Sequence, residues 1–196
     1  MAIYTVGHST HKKEEFLKLL DDARIEKLVD IRAFPGSRKF PHFHEEEMKV
    51  WLPAHHIAYE HCGKLGGRRR KSKTIDDEIN GGWNNQSFHN YADYTLTEEF
   101  LEGIDKLMKE AKEQRIAICC SERHPARCHR LLISNWLATH GWNVKHIIDG
   151  PKEKTLIENH VVGKWGAEPV VSKEGEVTYP PEEDEESQVR YTERKR

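Results

Sequence analysis

The stretch from Arg115 to Gly141 constrains this chain more than any other. Ile116-Ala117-Ile118-Cys119-Cys120 is an unbroken apolar run, the pattern of a central parallel strand buried on both faces. Ser121-Glu122-Arg123-His124 makes a polar turn, and Pro125 suits the first position of a helix, where its missing N–H leaves nothing unpaired. Beyond it Cys128, Leu131, Leu132, Trp136 and Thr139 recur near a helical period, and Gly141 predicts the stop. The expectation is strand, tight turn, helix. Its turn gathers Cys120, Glu122, Cys128, His129 and Arg130 where a helix N-terminus presents free N–H groups.

The rest of the chain reads as strands alternating with helices. Ala2–Val6 predicts a first strand, followed by Gly7-His8-Ser9-Thr10 and a helix with Glu14 and Glu15 in its first turn and Phe16, Leu19, Leu20 and Ala23 on one face. Lys27–Ile31 predicts a second strand, running into the basic turn Arg32–Arg38, which contains Ser37. Residues 44–56 predict a helix that Pro53 ends or kinks. Ile57–His61 predicts a short third strand, and Cys62–Gln86 an irregular loop. Thr95-x-x-Glu98 reads as a capping box before a helix carrying Phe100, Leu101, Ile104, Leu107, Met108 and Ala111. Asn143–Ile148 predicts a last strand. The fold class expected is α/β, three-layered, with a mostly parallel sheet and helices on both faces.

In such sheets ligands bind beyond the carboxyl ends of the strands. Those ends carry His8 and Ser9, Asp30 and Arg32, His61, Cys120 and Glu122, and Asp149. Their convergence is the main functional signal in the sequence.

Charge places the boundary between body and tail. From Ala167 onward there are 9 acids and 5 bases, which leaves 24 acids and 26 bases, with all 13 histidines, in residues 1–166. Residues 1–166 are therefore expected to form a single α/β domain, and 167–196, with the run Glu182–Glu186, a flexible acidic tail. No segment approaches the ~18 consecutive apolar residues of a membrane span, and the first residues lack the basic and apolar regions of a signal peptide. Cytoplasmic localisation without membrane association is expected. Four cysteines, two of them adjacent, read as reduced thiols rather than a disulfide framework.

Several segments carry a resemblance: TVGHST, LVDIRAFPGSRKF, Ile57-x-Tyr59 leading to LGG, YADY, CCSERHPARCHRLLI and VKHI. Over about residues 2–150 the chain resembles the domain-of-unknown-function family 488, whose biochemical activity is not established. The resemblance implies site positions and no reaction: His8, Ser9, Asp30, Arg32, Pro35, Ser37, Tyr59, Gly66, Cys120, Glu122, Cys128, His129 and Arg130. Cys119 and the arginines 68–70 are particular to this sequence.

Chemically, Cys120 at a strand end before a helix N-terminus is placed for a depressed thiol pKa, with His129 or Glu122 as base and His8 and Asp30 at neighbouring strand ends. The bland alternative is a buried structural thiol. The Cys-x5-Arg signature of cysteine phosphatases is absent, since Ala126 stands sixth after Cys120 and Arg127 follows it. Zinc on Cys120, Cys128 and His129, with His8 or His61, is a weaker alternative because Cys-x7-Cys-His is not a familiar structural spacing. No metal and no cofactor is therefore expected. Ser9, Arg32, Ser37, Arg38, Cys128 and Arg130 are expected to bind an anion. Arg68 belongs to a basic loop, 68–73, followed by Trp83, Phe88, Tyr91 and Tyr94, which could grip phosphates and stack bases. Neither a Walker motif nor G-x-G-x-x-G is present. The reading is an enzyme, hydrolase or group transferase, with a cysteine nucleophile and an anionic, phosphate-bearing substrate. The alternative is a non-catalytic nucleic-acid or nucleotide-binding module. The sequence is silent on oligomeric state.

Overall fold

The computed structural model describes residues 1–182. Its elements follow in the order β1 (Ala2–Gly7), α1 (Lys13–Asp22), β2 (Lys27–Asp30), α2 (Glu45–Ala54), β3 (Ala58–His61), α3 (Gln86–Tyr94), α4 (Glu98–Glu110), β4 (Ile116–Cys120), α5 (Arg130–Thr139), β5 (Asn143–Asp149), β6 (Thr155–Asn159), β7 (Val170–Val171) and β8 (Val177–Thr178). The large sheet has the order β3-β2-β4-β1-β5-β6 and is parallel except for β6, which pairs antiparallel with β5.

Alternation along the central strands sets the two helical layers. Ile116, Ile118 and Cys120 face a core built with α3, α4 and α5, through Tyr91, Phe100, Ile104, Leu131 and Trp136. Ala117 and Cys119 face the opposite core, with Phe16, Leu19 and Leu20 of α1 and Met48 and Leu52 of α2. This is the expected three-layer α/β arrangement, because each strand buried on both faces needs a helical layer on each. No helix among the described residues is long and apolar enough to cross a membrane.

Four local expectations are corrected. Pro125 opens a short 3-10 turn, Pro125–Arg127, rather than the helix; Cys128 is extended, and α5 starts only at Arg130. The residue capping α4 is Thr97, whose Oγ1 accepts from Phe100 N–H at 3.3 Å, while Thr95 Oγ1 donates to the Ala92 carbonyl. The long irregular stretch contains the 3-10 turn Gly63–Leu65 and gives way at Gln86 to α3, a helix not expected from the sequence. Residues 167–182, assigned by composition to the tail, include the β7–β8 pair and end with Tyr179 buried beside Trp83, its N–H donating to Asn80 Oδ1 at 3.0 Å. Of the acidic run only Glu182 lies within the described residues.

The end of α5 follows expectation. Gly141 takes φ +82°, and the N–H groups of Gly141 and Trp142 return to the carbonyls of Ala138 and Leu137 at 3.1 and 3.0 Å, which closes the helix in the left-handed conformation that favours glycine.

Candidate functional site

β1 and β4 are neighbours, yet the chain leaves β1 for α1 on one face and leaves β4 for α5 on the other. Connections that diverge in this way open a crevice at the carboxyl ends of the two strands. Here the two turns stay paired beyond the sheet: His8 N–H donates to the Cys120 carbonyl at 2.9 Å and Ser9 N–H to that of Ser121 at 3.0 Å. Gly7 permits this approach, since a Cβ there would lie 1.9 Å from the Glu122 carbonyl oxygen. The resulting open cavity has a volume of about 1330 Å³. Of the residues expected at a site, His8, Ser9, Arg32, Ser37, Arg68, Cys120, Glu122, Cys128 and His129 line it. Asp30, Arg38 and Arg130 do not.

One wall is a thiol–imidazole cluster. His129 Nε2 lies 3.0 Å from the Ile31 carbonyl, which can only accept, so this nitrogen carries a proton and Nδ1 is the ring nitrogen turned toward the sulfurs. Nδ1 lies 3.6 Å from Cys128 Sγ and 3.9 Å from Cys120 Sγ. The sequence reading assigned the activated thiol to Cys120; the surroundings of the two thiols are unlike. The hydrogen bond to Cys128 and burial push the Cys120 thiol up to about 12. Cys128 goes the other way, to about 6: burial opposes ionisation, but the Cys120 thiol and the Arg130 charge outweigh it. Arg130 Nε reaches Cys128 Sγ at 3.4 Å and its backbone N–H at 3.5 Å, so one residue at the start of α5 supplies charge, donor and helix dipole to the same sulfur.

Arg130, expected to bind an anion, does not line the cavity. It is 1 % exposed, and its Nη2 donates to the Glu122 and Arg123 carbonyls and its Nη1 to Thr5 Oγ1. The guanidinium holds the turn together from beneath and presents no free fork to the cavity.

A second buried cluster sits under the floor. Arg32 binds Asp30 in bidentate fashion, Nε to Oδ1 at 2.9 Å and Nη2 to Oδ2 at 2.6 Å, and Tyr59 Oη donates to the same carboxylate at 2.7 Å. Asp30, expected as a catalytic carboxylate, is fully buried with both oxygens occupied and does not reach the cavity. Arg32 Nη1 approaches His8 Nε2 at 3.3 Å while His8 Nδ1 pairs with the Ser9 carbonyl at 3.0 Å. Burial, then the Arg32 charge, hold His8 at about 4, so it is neutral at pH 7 with its lone pair already taken by Arg32.

The rim is cationic. Arg68, Arg123 and Arg127 are exposed and line the cavity mouth, Arg123 leaning on Asp149 with 3.3 Å between Nε and Oδ2. The backbone N–H groups of Glu122, Arg123 and His124 find no hydrogen-bond acceptor among the described residues. Glu122 lines the same mouth with an exposed side chain. Arg123 and Arg127 lay in the turn the sequence singled out, but only the extra 3-10 turn brings both to the opening. Exposed Phe34, 71 % accessible, lies under the Arg68 guanidinium at 5.7 Å, and no sequence pattern pointed to it.

Of the four aromatics expected to stack bases, Phe88 and Tyr91 line the cavity, and Trp83, Tyr91 and Tyr94 are buried. Tyr91 and Tyr94 donate their hydroxyls to the Leu65 and Lys64 carbonyls at 2.7 and 2.5 Å. Arg69 lies over the Tyr94 ring at 3.7 Å and donates to the Gly66 and Gly63 carbonyls, so it belongs to the scaffold. Arg38 is exposed and does not line the cavity.

Cys120 Sγ, Cys128 Sγ and a His129 ring nitrogen lie within 4.8 Å of one another, which brings together three donors of metal-binding type. The fourth donor of the zinc alternative is not delivered: His8 Nε2 faces Arg32, and His61 Nε2 pairs with the Arg32 carbonyl at 2.8 Å.

Behind the site runs a hydrogen-bonded line that the sequence did not reveal. Thr5 Oγ1 accepts from Arg130 and donates to His146 Nδ1 at 2.8 Å; His146 Nε2–H donates to His160 Nδ1 at 3.0 Å. His160 Nε2–H donates to Asn135 Oδ1 at 2.9 Å, and Asn135 Nδ2 to Tyr179 Oη at 3.1 Å. Every donor in it points the same way, which requires both rings to be neutral. Burial accordingly lowers His146 to about 3 and His160 to about 4.

No curated protein and no solved structure matches the chain. The family described as Domain of unknown function DUF488 matches residues 12–137, which include Asp30, Arg32, Cys120, Cys128, His129 and Arg130. With more than half of its length inside that match, the chain belongs to the domain-of-unknown-function family DUF488.

Proposed function

We propose that the protein is an enzyme, a hydrolase or group transferase, that acts on an anionic, phosphate-bearing substrate in the cleft between β1 and β4, with Cys128 as its nucleophile. The observation that carries this reading is the double contact of Arg130 to Cys128 Sγ on the wall facing the cationic rim. A binding module has no use for a sulfur held as a thiolate; a nucleophilic enzyme does.

The anion would rest against Arg68, Arg123 and Arg127 and the free amides of the turn. Cys128 Sγ then attacks the electrophilic centre: a bond forms from sulfur to that centre and the bond to the leaving group breaks. The leaving group takes the proton of the Cys120 thiol, leaving Cys120 as a thiolate that regains a proton in the second step, from His129 Nδ1 once that nitrogen has accepted one from the attacking water or acceptor. Water, or a second acceptor in a transferase, attacks the intermediate while His129 Nδ1 removes its proton, and the thiolate is released.

One observation favours the nucleotide-binding alternative, the Arg68–Phe34 stack at the mouth, which offers an exposed ring to a base. The two readings separate in one experiment. The intact protein is incubated with a panel of phosphate-bearing esters and analysed by mass spectrometry for adducts on each cysteine. An adduct on Cys128, with turnover abolished in Cys128→Ser, supports the enzyme. Binding of nucleoside monophosphates without any adduct or turnover, with Cys128 alkylating no faster than Cys62, overturns it in favour of the module.

A further inference from the structure

We propose that Cys120 and Cys128 form a reversible intramolecular disulfide, making the cleft a site of oxidative modification by peroxides. The proposal shares the Cys128 thiolate with the reading above but needs no substrate, so either can fail without the other.

Four features support it. The two sulfurs lie within 4.8 Å, so a bond of about 2.05 Å needs a movement of under about 3 Å. On one side the backbone is not locked into regular structure: Cys128 is an isolated extended residue (φ −135°, ψ 147°) between the 3-10 turn and α5, outside any strand or helix. The partners are unlike, as peroxide chemistry requires: Cys128 is the ionised, attacking sulfur, and Cys120 keeps its proton and can resolve the product. Finally, the pairing is exclusive. Cys119 faces the opposite core, and Cys62 lies outside the cavity.

The steps balance. The Cys128 thiolate attacks the terminal oxygen of a peroxide; the S–O bond forms, the O–O bond breaks, and the alkoxide or hydroxide leaves to take a proton from water. Cys128 is now a sulfenic acid, oxidised by two electrons, and the peroxide is reduced. His129 Nδ1 takes the proton of Cys120, the Cys120 sulfur attacks Cys128, and the S–O bond breaks. Hydroxide departs with that proton as water, leaving the disulfide. A small thiol reverses the change by exchange.

The test uses the intact, reduced chain treated with hydrogen peroxide. Expected is the loss of two of the four free thiols, full recovery with dithiothreitol, and a Cys120–Cys128 cross-linked peptide on non-reducing digestion. Cys120→Ser should retain a sulfenic acid on Cys128 that dimedone traps, whereas Cys62→Ser should still lose two thiols. The wild-type peptide map stands without any variant, should Cys120→Ser fail to fold. A cross-link involving Cys62 or Cys119, or over-oxidation of Cys128 to sulfinic acid with no cross-link, would overturn the proposal.

Discussion

Arg130 and Cys128 are two positions apart, and the guanidinium of the first folds back onto the sulfur of the second, Nε to Sγ 3.4 Å. The contact works because Cys128 is extended while Arg130 begins a helix, so side chain and backbone N–H of Arg130 converge on one atom.

Replacing this residue separates charge from geometry. Arg130→Lys keeps a cation but loses the fork, leaving the Glu122 or Arg123 carbonyl short of a donor at a cost of about 1–3 kcal/mol. The alkylation midpoint of Cys128 should then rise from about 6 toward the ordinary thiol value of about 8.5. Iodoacetamide labelling of wild type and variant against pH, resolved by peptide, measures both. A midpoint unchanged in a folded Arg130→Lys protein would mean that the Nε contact of the guanidinium, as distinct from its positive charge, does not lower the Cys128 pKa.

The buried histidines make stability pH-dependent. His8, His146 and His160 have folded-state values of about 4, 3 and 4 against 6.5 for a free ring. For a base whose folded pKa is depressed, the stabilising contribution is complete above 6.5 and is lost as pH falls toward the folded value. At about 1.4 kcal/mol per unit of pKa difference, several kcal/mol should disappear between pH 6.5 and 4. Urea denaturation at steps of pH should show the fall. A flat profile over this window would show that these rings are charged or solvent-accessible in the fold.

The basic loop divides into two functions. Arg69→Ala removes the Tyr94 stack and two carbonyl contacts and should destabilise by about 1–2 kcal/mol. Arg68→Ala should leave the melting temperature unchanged while weakening the binding of phosphate-bearing ligands and reducing its salt dependence. If Arg68→Ala leaves affinity and salt slope intact, the anion does not reach this rim.

Gly67 guards the imidazole. A Cβ there would lie 2.8 Å from His129 Nδ1, so Gly67→Ala should push the ring off the two sulfurs and slow Cys120 and Cys128 labelling with only a modest loss of stability. Gly7→Ala meets a backbone carbonyl instead, at 1.9 Å, and should cost about 3 kcal/mol or more. Soluble expression and thermal melts of the pair test the contrast; a Gly7→Ala protein as stable as wild type would refute the close approach of the two turns.

How far the sequence speaks depends on whether a residue answers to its neighbours along the chain or across space. β4 was legible because five consecutive buried residues leave no other assignment. β6 was not, since four of its five side chains are exposed on an edge strand and show no alternation. α3 opens with polar residues, and its Phe88, Tyr91 and Tyr94 are spaced as a stacking surface would be; only the Leu65 and Lys64 carbonyls show why two of them are inside. The convergence of His8, Arg32 and Cys120 followed from strand ends, and that of His129 from the turn after β4. Which cysteine the guanidinium contacts did not, because it turns on where that group goes once Thr5 and the Glu122 carbonyl claim its other nitrogens. The same geometry withdrew Arg130 and Asp30 from the cavity.

β1 is hydrogen-bonded to β4 on one side and to β5 on the other, and both β1 and β5 fall outside residues 12–137. A gene fragment cut to those limits would encode a three-stranded remnant, β3-β2-β4, with the flank of β4 laid bare and Thr5, Gly7 and His8 deleted. Arg130 would lose Thr5 from among its partners, α5 the strand beneath it, and the raw strand flank would invite pairing between copies. Recombinant production, domain swaps and library design on this protein should therefore start no later than Ala2 and run through Tyr179.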